Sequence, residues 1–274
     1  MSKLAVCSVA IIACAALSGC AAELEEEFAT AVVTSSLETP RKQSAAQEVA
    51  DSLGEDCDEM SAATAAQEAA GRPAVGLYPS SCVAKTADGA DLHAQYSGCT
   101  GAFGQVEISG GLDASFEVTG ACMLRADIVD SGDLTANGKA LDYEAIADIE
   151  VVPGKRLVDW NAHWTGTTRR DRDIEQSSQL RVDVDHLSSC LLIGGTAEGT
   201  IDNRFDYGTQ IEGLAICPDE CPSAGVVEAH WQGYARERSV TVTFDGSDMA
   251  HVDGWTGREF DVKMVCQPVV ADAE

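Results

Sequence analysis

The chain has 274 residues, with 18 lysines and arginines against 45 aspartates and glutamates, a formal net charge of −27 at pH 7. That much acid repels phosphate backbones, which excludes nucleic acid as a partner. Hydrophobic residues make up 45% of the chain but aromatic ones only 5%, so a core can form while the aromatic girdles of a membrane-spanning barrel are missing.

The N-terminus has one basic residue, Lys3, then a run from Leu4 to Leu17 without a charge, then Leu17-Ser18-Gly19-Cys20 and acids at Glu23 and Glu25 to Glu27. A basic start, a short apolar middle and a small-residue cut site predict a secretory signal peptide over residues 1–19. The apolar run falls short of the ~20 residues that cross a bilayer as a helix. Leu17-Ser18-Gly19-Cys20 resembles the lipobox of bacterial lipoproteins. The resemblance implies that Cys20 becomes the first mature residue and carries lipid, which anchors the protein to a bacterial membrane. Ala21, rather than Asp, after the anchor implies the outer membrane. Two acyl chains suffice for stable anchoring. Residues 20–43 carry Glu, Ala, Ser and Thr with little apolar periodicity and predict a flexible lipidated tether.

Residues 44–72 are Ala-rich and predict a short helical segment. Ser44 and Gln47 match a capping box, and Val49 and Leu53 fall one turn apart. Gly54 interrupts the helix, a second stretch runs from about Asp58 to Ala70, and Gly71 and Pro73 stop it.

From residue 73 to 270 the period changes to two. Leu112, Ala114, Phe116 and Val118 alternate with polar neighbours, as do Tyr143 to Val151, Leu180 to Val184 and Val240 to Phe244. Such alternation predicts strands with one buried and one wet face. Turn signals recur at Asp88-Gly89, Ser109-Gly110-Gly111, Ser131-Gly132, Asn137-Gly138, Pro153-Gly154 and Asp245-Gly246. The prediction is an all-β domain: an antiparallel meander of about 11–13 strands closed as a barrel or sandwich.

Of eleven cysteines, Cys7 and Cys14 leave with the signal peptide and Cys20 is taken by lipid. Eight remain, an even number, which in an exported chain reads as four disulfides. Neighbouring cysteines suggest Cys82–Cys99, Cys190–Cys217, Cys221–Cys266 and Cys57–Cys122, one of about a hundred connectivities. Cys217 to Cys221 is the only close pair, so the zinc-ribbon pattern is absent.

Several pieces resemble a group of predicted secreted lipoproteins of myxobacteria: Ser97-Gly98-Cys99-Thr100-Gly101-Ala102-Phe103-Gly104, Cys221-Pro222-Ser223-Ala224-Gly225, Val240 to Ser247, and a last strand ending in Cys266. That group has no assigned activity. The resemblance implies an exported, disulfide-bonded β protein and transfers no functional residue.

Two segments echo each other, Ala162-His163-Trp164-Thr165-Gly166 and Ala229-His230-Trp231-Gln232-Gly233, with a looser copy at Ala250-His251 and Trp255-Thr256-Gly257. Parity puts the tryptophans with Ala and Val in the core and the histidines on the wet face. His163 and His230 with nearby carboxylates would suit zinc, but on unplaced strands they read as exposed histidines, and no metal or cofactor is expected. Asp127, Asp130 and Asp133, and Asp202, Asn203 and Asp206, lack the full calcium-loop pattern and read as solvated acidic turns. No nucleophile elbow, metalloprotease helix, phosphate loop or dinucleotide fingerprint is present, so no catalytic residue is assigned. The expected protein is a non-enzymatic, lipid-anchored cell-envelope component. Its role is structural or adhesive, and its partners are the membrane, through Cys20, and envelope or surface proteins. The alternative is a carrier or receptor for a small apolar ligand inside the β domain.

Overall fold

The computed structural model describes residues 25, 26, 28–30, 32, 33, 61–71, 77–101, 107–167, 171–185, 190–217, 220–232 and 237–264. Helix α1 (Ala62–Gly71) precedes fifteen strands: β1 (Leu77–Tyr78), β2 (Val83–Asp88), β3 (Asp91–Gly101), β4 (Glu107–Gly120), β5 (Met123–Asp130), β6 (Thr135–Ala136), β7 (Lys139–Val152), β8 (Lys155–Thr167), β9 (Asp173–Asp185), β10 (Leu191–Ile201), β11 (Phe205–Ile216), β12 (Ala224–Gln232), β13 (Glu237–Phe244), β14 (Met249–Asp253) and β15 (Glu259–Lys263). All belong to one antiparallel sheet in the order β1-β3-β4-β5-β7-β8-β9-β10-β11-β12-β13-β14-β15, with β2 on β3 and β6 on β4 and β7. Among the described residues no ladder joins β15 to β1. The strand count exceeds the predicted one because β1 and β6 have two residues each, too few for any alternation to show.

The alternating pattern becomes one continuous apolar row across the sheet. Phe116, Ala126, Ala147, Trp160, Leu180, Gly195, Ile211, Val227, Val242, Val252 and Phe260 are successive cross-strand partners. Most are fully buried, and they join one core cluster. Such pairs are the unit of sheet stabilisation. Gly195 sits at a bulge at φ +134°, where a Cβ would run into the Gln179 carbonyl, so the backbone there requires glycine.

Helix α1 starts where the Ser61 hydroxyl accepts the Thr64 amide at 3.1 Å, inside the stretch predicted from Asp58. It buries Ala65, Ala66 and Ala69 and ends with Lys85 Nζ donating to the Ala69 carbonyl at 3.4 Å. The predicted capping box at Ser44 lies outside the described residues.

The tether expectation is corrected at the described residues between 25 and 33, which are helical. Ala29, Val32 and Val33 lie in the core cluster. Their spacing along one helix face gives the segment an apolar stripe to bury, and burial wins over the polar composition around it.

Cys82 is bonded to Cys99 and Cys190 to Cys217. Cys190 and Cys217 sit one step beyond the Leu191–Ile216 pair that starts the β10–β11 ladder. Cys122 and Cys221 are also disulfide-bonded. Cys20, Cys57 and Cys266 lie outside the described residues.

Candidate functional site

Four residues along each strand from the apolar row, a second row crosses the same face. Tyr143, Trp164, Gln176, Gly199, Tyr207, Trp231 and Arg238 are successive cross-strand partners from β7 to β13. Between the two rows run small residues: Ala145, Ala162, Ser178, Ala197, Thr209 and Ala229. On β8 to β11 this strip stays half-buried at Ala162, Ser178, Ala197 and Thr209. A floor of small side chains beside aromatic rings can seat an apolar ligand.

The chemistry of the row is polar at its centre. Tyr207 Oη donates to Gln176 Oε1 at 3.0 Å, and burial pushes the phenol up to about 12. Burial also raises Tyr143 well above the ordinary tyrosine range. Both phenols therefore stay neutral at physiological pH, as donors rather than bases. Gly199 makes room for the ring of Tyr207, which a Cβ there would overlap.

At the end of the row the hairpin turns gather aromatic and cationic groups. Trp231 stacks on Phe205 with centroids 6.3 Å apart. The Arg238 guanidinium lies 5.7 Å from the Trp231 ring and 5.3 Å from Trp255. Arg172 lies 6.0 Å from Phe205. The N-terminal helical segment docks at the same end. Phe28 packs on Trp255 at 5.8 Å. Buried Glu25 accepts the Thr256 amide at 2.7 Å and the Thr256 hydroxyl at 2.6 Å. Gly254 is the close approach that admits this carboxylate, since a Cβ would overlap it.

Of the four tryptophans, Trp160 is 4% exposed and fully in the core. Trp164 and Trp231 lie on the core face as parity predicts, but both are half-buried. Trp255 sits in the turn after β14.

The histidines of the echo are not brought together. His163 is on β8 and His230 on β12, four strands or about 19 Å apart. His163 Nδ1 is 3.0 Å from Ser177 Oγ, and its Nε2 lies 3.8 Å from Glu175. The acidic turns spend oxygens on backbone. Asp130 accepts the Gly132 and Tyr143 amides at 2.7 and 3.0 Å, and Asp133 accepts the Gly111 amide at 2.8 Å. Asp202 accepts the Asp173 amide at 3.1 Å and faces Arg172 at 3.8 Å. These carboxylates fix turns.

Sequence reading reached this site only in part. It found the echoed tryptophans but missed Tyr207, Gln176, Arg238 and Glu25. The first three form a row only through strand register, which no single strand reveals. Compared with known proteins, the chain matches no protein-family model, no curated protein and no solved structure.

Proposed function

We propose that this protein is a lipid-anchored component of a bacterial outer membrane, with a non-enzymatic structural or adhesive role exerted through protein contacts. The docked N-terminal segment carries the reading. Glu25 is pinned to Thr256 at the hairpin end of the sheet, five residues after Cys20. Five residues span at most about 18 Å. Lipid on Cys20 would therefore hold that end of the sheet close to the bilayer and present the rest outward. The bonded cysteines fit an oxidising, exported setting. A second reading, a carrier for a small apolar ligand, is favoured by one observation: the half-buried strip of Ala162, Ser178, Ala197 and Thr209 beside Trp164 and Tyr207.

Mass spectrometry of the protein purified from membranes of its producing strain tests both. The denatured mass should exceed that of residues 20–274 by the acyl groups on Cys20, and Cys20→Ser protein should leave the membrane fraction. A free Cys20 thiol in membrane-derived protein would overturn the anchor. In the native spectrum, a bare chain supports the structural or adhesive role, whereas a stoichiometric apolar adduct replaces it with the carrier.

A further inference from the structure

We infer that the outer face of the last hairpin, β14–β15, carries a divalent-cation site of the zinc type, built from His251, Asp253 and Glu259 with Asp261 behind the imidazole. The inference is independent of the lipid anchor. One donor atom from each of His251, Asp253 and Glu259 lies within 4.8 Å of the other two. Among the described residues this is the one group of three such donors that converges.

Register explains the convergence. His251 pairs with Asp261, and Asp253 pairs with Glu259, across the antiparallel ladder. Residues two apart share a face, so the four side chains form a square on the solvent side, opposite buried Ala250, Val252 and Val262. The flanking strand β13 presents Thr243 beside His251 and Thr241 beside Asp253, neutral groups that bring no countercharge from that strand.

Two features of the square point to a cation. Asp253 and Glu259 are direct cross-strand partners of like charge, an arrangement that destabilises a ladder. Among the described residues neither makes an ion pair. A bound cation reverses the sign of that pair's contribution. The second feature is the imidazole. His251 Nδ1 lies 3.1 Å from Asp261 Oδ1. With Nδ1–H donating to that carboxylate, the lone pair is left on Nε2 for a metal. A carboxylate behind a ligating histidine fixes the tautomer and raises its basicity, the usual support of zinc-binding histidines.

The donor set selects the ion. One imidazole and two carboxylates suit Zn2+ at about 2.0–2.2 Å, with water in the fourth position. Ca2+ takes oxygen ligands only, so the imidazole of this set favours Zn2+. All three ligands are exposed and stand on the two paired strands of one hairpin.

The test uses the full chain with Cys20→Ser, exported and oxidised, titrated with Zn2+ against a zinc indicator dye in metal-free buffer. One equivalent should bind, and Zn2+ should raise the thermal midpoint. His251→Ala and Glu259→Gln should each abolish that equivalent and the thermal shift while leaving the metal-free midpoint close to the parent's. Asp261→Asn should weaken binding about tenfold or more, the usual cost of losing such a support. The double variant His163→Ala with His230→Ala should bind as the parent does. Unaltered affinity in both His251→Ala and Glu259→Gln, absence of a stoichiometric equivalent in the parent, or tighter binding of Ca2+ than Zn2+ would overturn the site.

Discussion

Two rows on one face of the sheet invite comparison. The first runs Ala147, Trp160, Leu180, Gly195, Ile211, Val227, Val242 and the second Tyr143, Trp164, Gln176, Gly199, Tyr207, Trp231, Arg238. Each residue of one stands four positions from its counterpart in the other, about 13 Å along the strand. Both have the same parity and point the same way. Yet Val227 and Val242 are 0% exposed and Trp160 4%, while Trp164, Tyr207, Trp231 and Arg238 remain half-buried. Parity assigns a side chain to a face. Its distance from the middle of the sheet, and what is packed over it, assign its depth. The first row is filled by apolar residues because an unpaired polar group there would be buried at a cost. The second tolerates amide, phenol and guanidinium because each retains a partner or solvent.

The widest separation between the rows should appear in two tryptophans on the same strand. Trp160→Ala removes a buried ring and should cost about 3–5 kcal/mol. Trp164→Ala, at the half-open position, should cost less than half of that, because part of the ring already meets water. Urea unfolding of the two variants measures the difference, and equal losses would erase the distinction between the rows.

Legibility follows the same division. The strands of the first row were readable because their apolar residues recur every second position, and Asn137-Gly138 was readable as a tight turn. Both of its residues have positive φ and join β6 to β7, as a type I′ hairpin needs. Ser109-Gly110-Gly111 read as a turn for the same compositional reason but lies inside β4. There Gly110, at φ +105°, lets the Asp133 backbone approach where a Cβ would collide. Glycine reports a backbone requirement without saying whether it is a turn or a close contact. The docked N-terminal segment was hidden by composition. Phe28, Ala29, Val32 and Val33 carry helical spacing, but the acids at Glu25 to Glu27 outweighed it, and the partner of Glu25 lies 231 residues away. The second row and the β14–β15 square were invisible because both are products of register.

The docked segment offers a smaller, sharper contrast at the end of the second row. Glu25→Ala leaves the Thr256 amide and hydroxyl without their acceptor and should cost about 1–3 kcal/mol. Gly254→Ala should cost a similar amount by a different route, since the added methyl overlaps the Glu25 carboxylate. Together the two should be clearly less costly than their sum, because removing Glu25 also removes the clash. Strict additivity in a double-mutant cycle would mean that Glu25 does not occupy this turn in solution.

The smallest effect belongs to the outer face, where solvent screens every pair. His93 Nδ1 and Asp113 Oδ1 are 2.7 Å apart, with side chains 45% and 50% exposed. The hydrogen bond to Asp113 raises His93 above its ordinary 6.5. Hydrogen bonds from Ser131 and then His93 lower Asp113 below its ordinary 3.8. A raised histidine stabilises the fold fully below its unfolded value and loses that contribution as pH rises through the folded one. A lowered carboxylate contributes above its unfolded value and loses it as pH falls through the folded one. The pair therefore contributes most between about pH 4 and 6.5 and fades on the alkaline side as His93 deprotonates. At this exposure the contribution should stay below about 1 kcal/mol. His93→Gln should flatten that part of the stability–pH curve relative to the parent, and should do so less at high salt than at low salt. A loss as large as that of Trp160→Ala would show that the outer face is not the screened surface its charges imply, and that a polar row can hold this sheet as firmly as an apolar one.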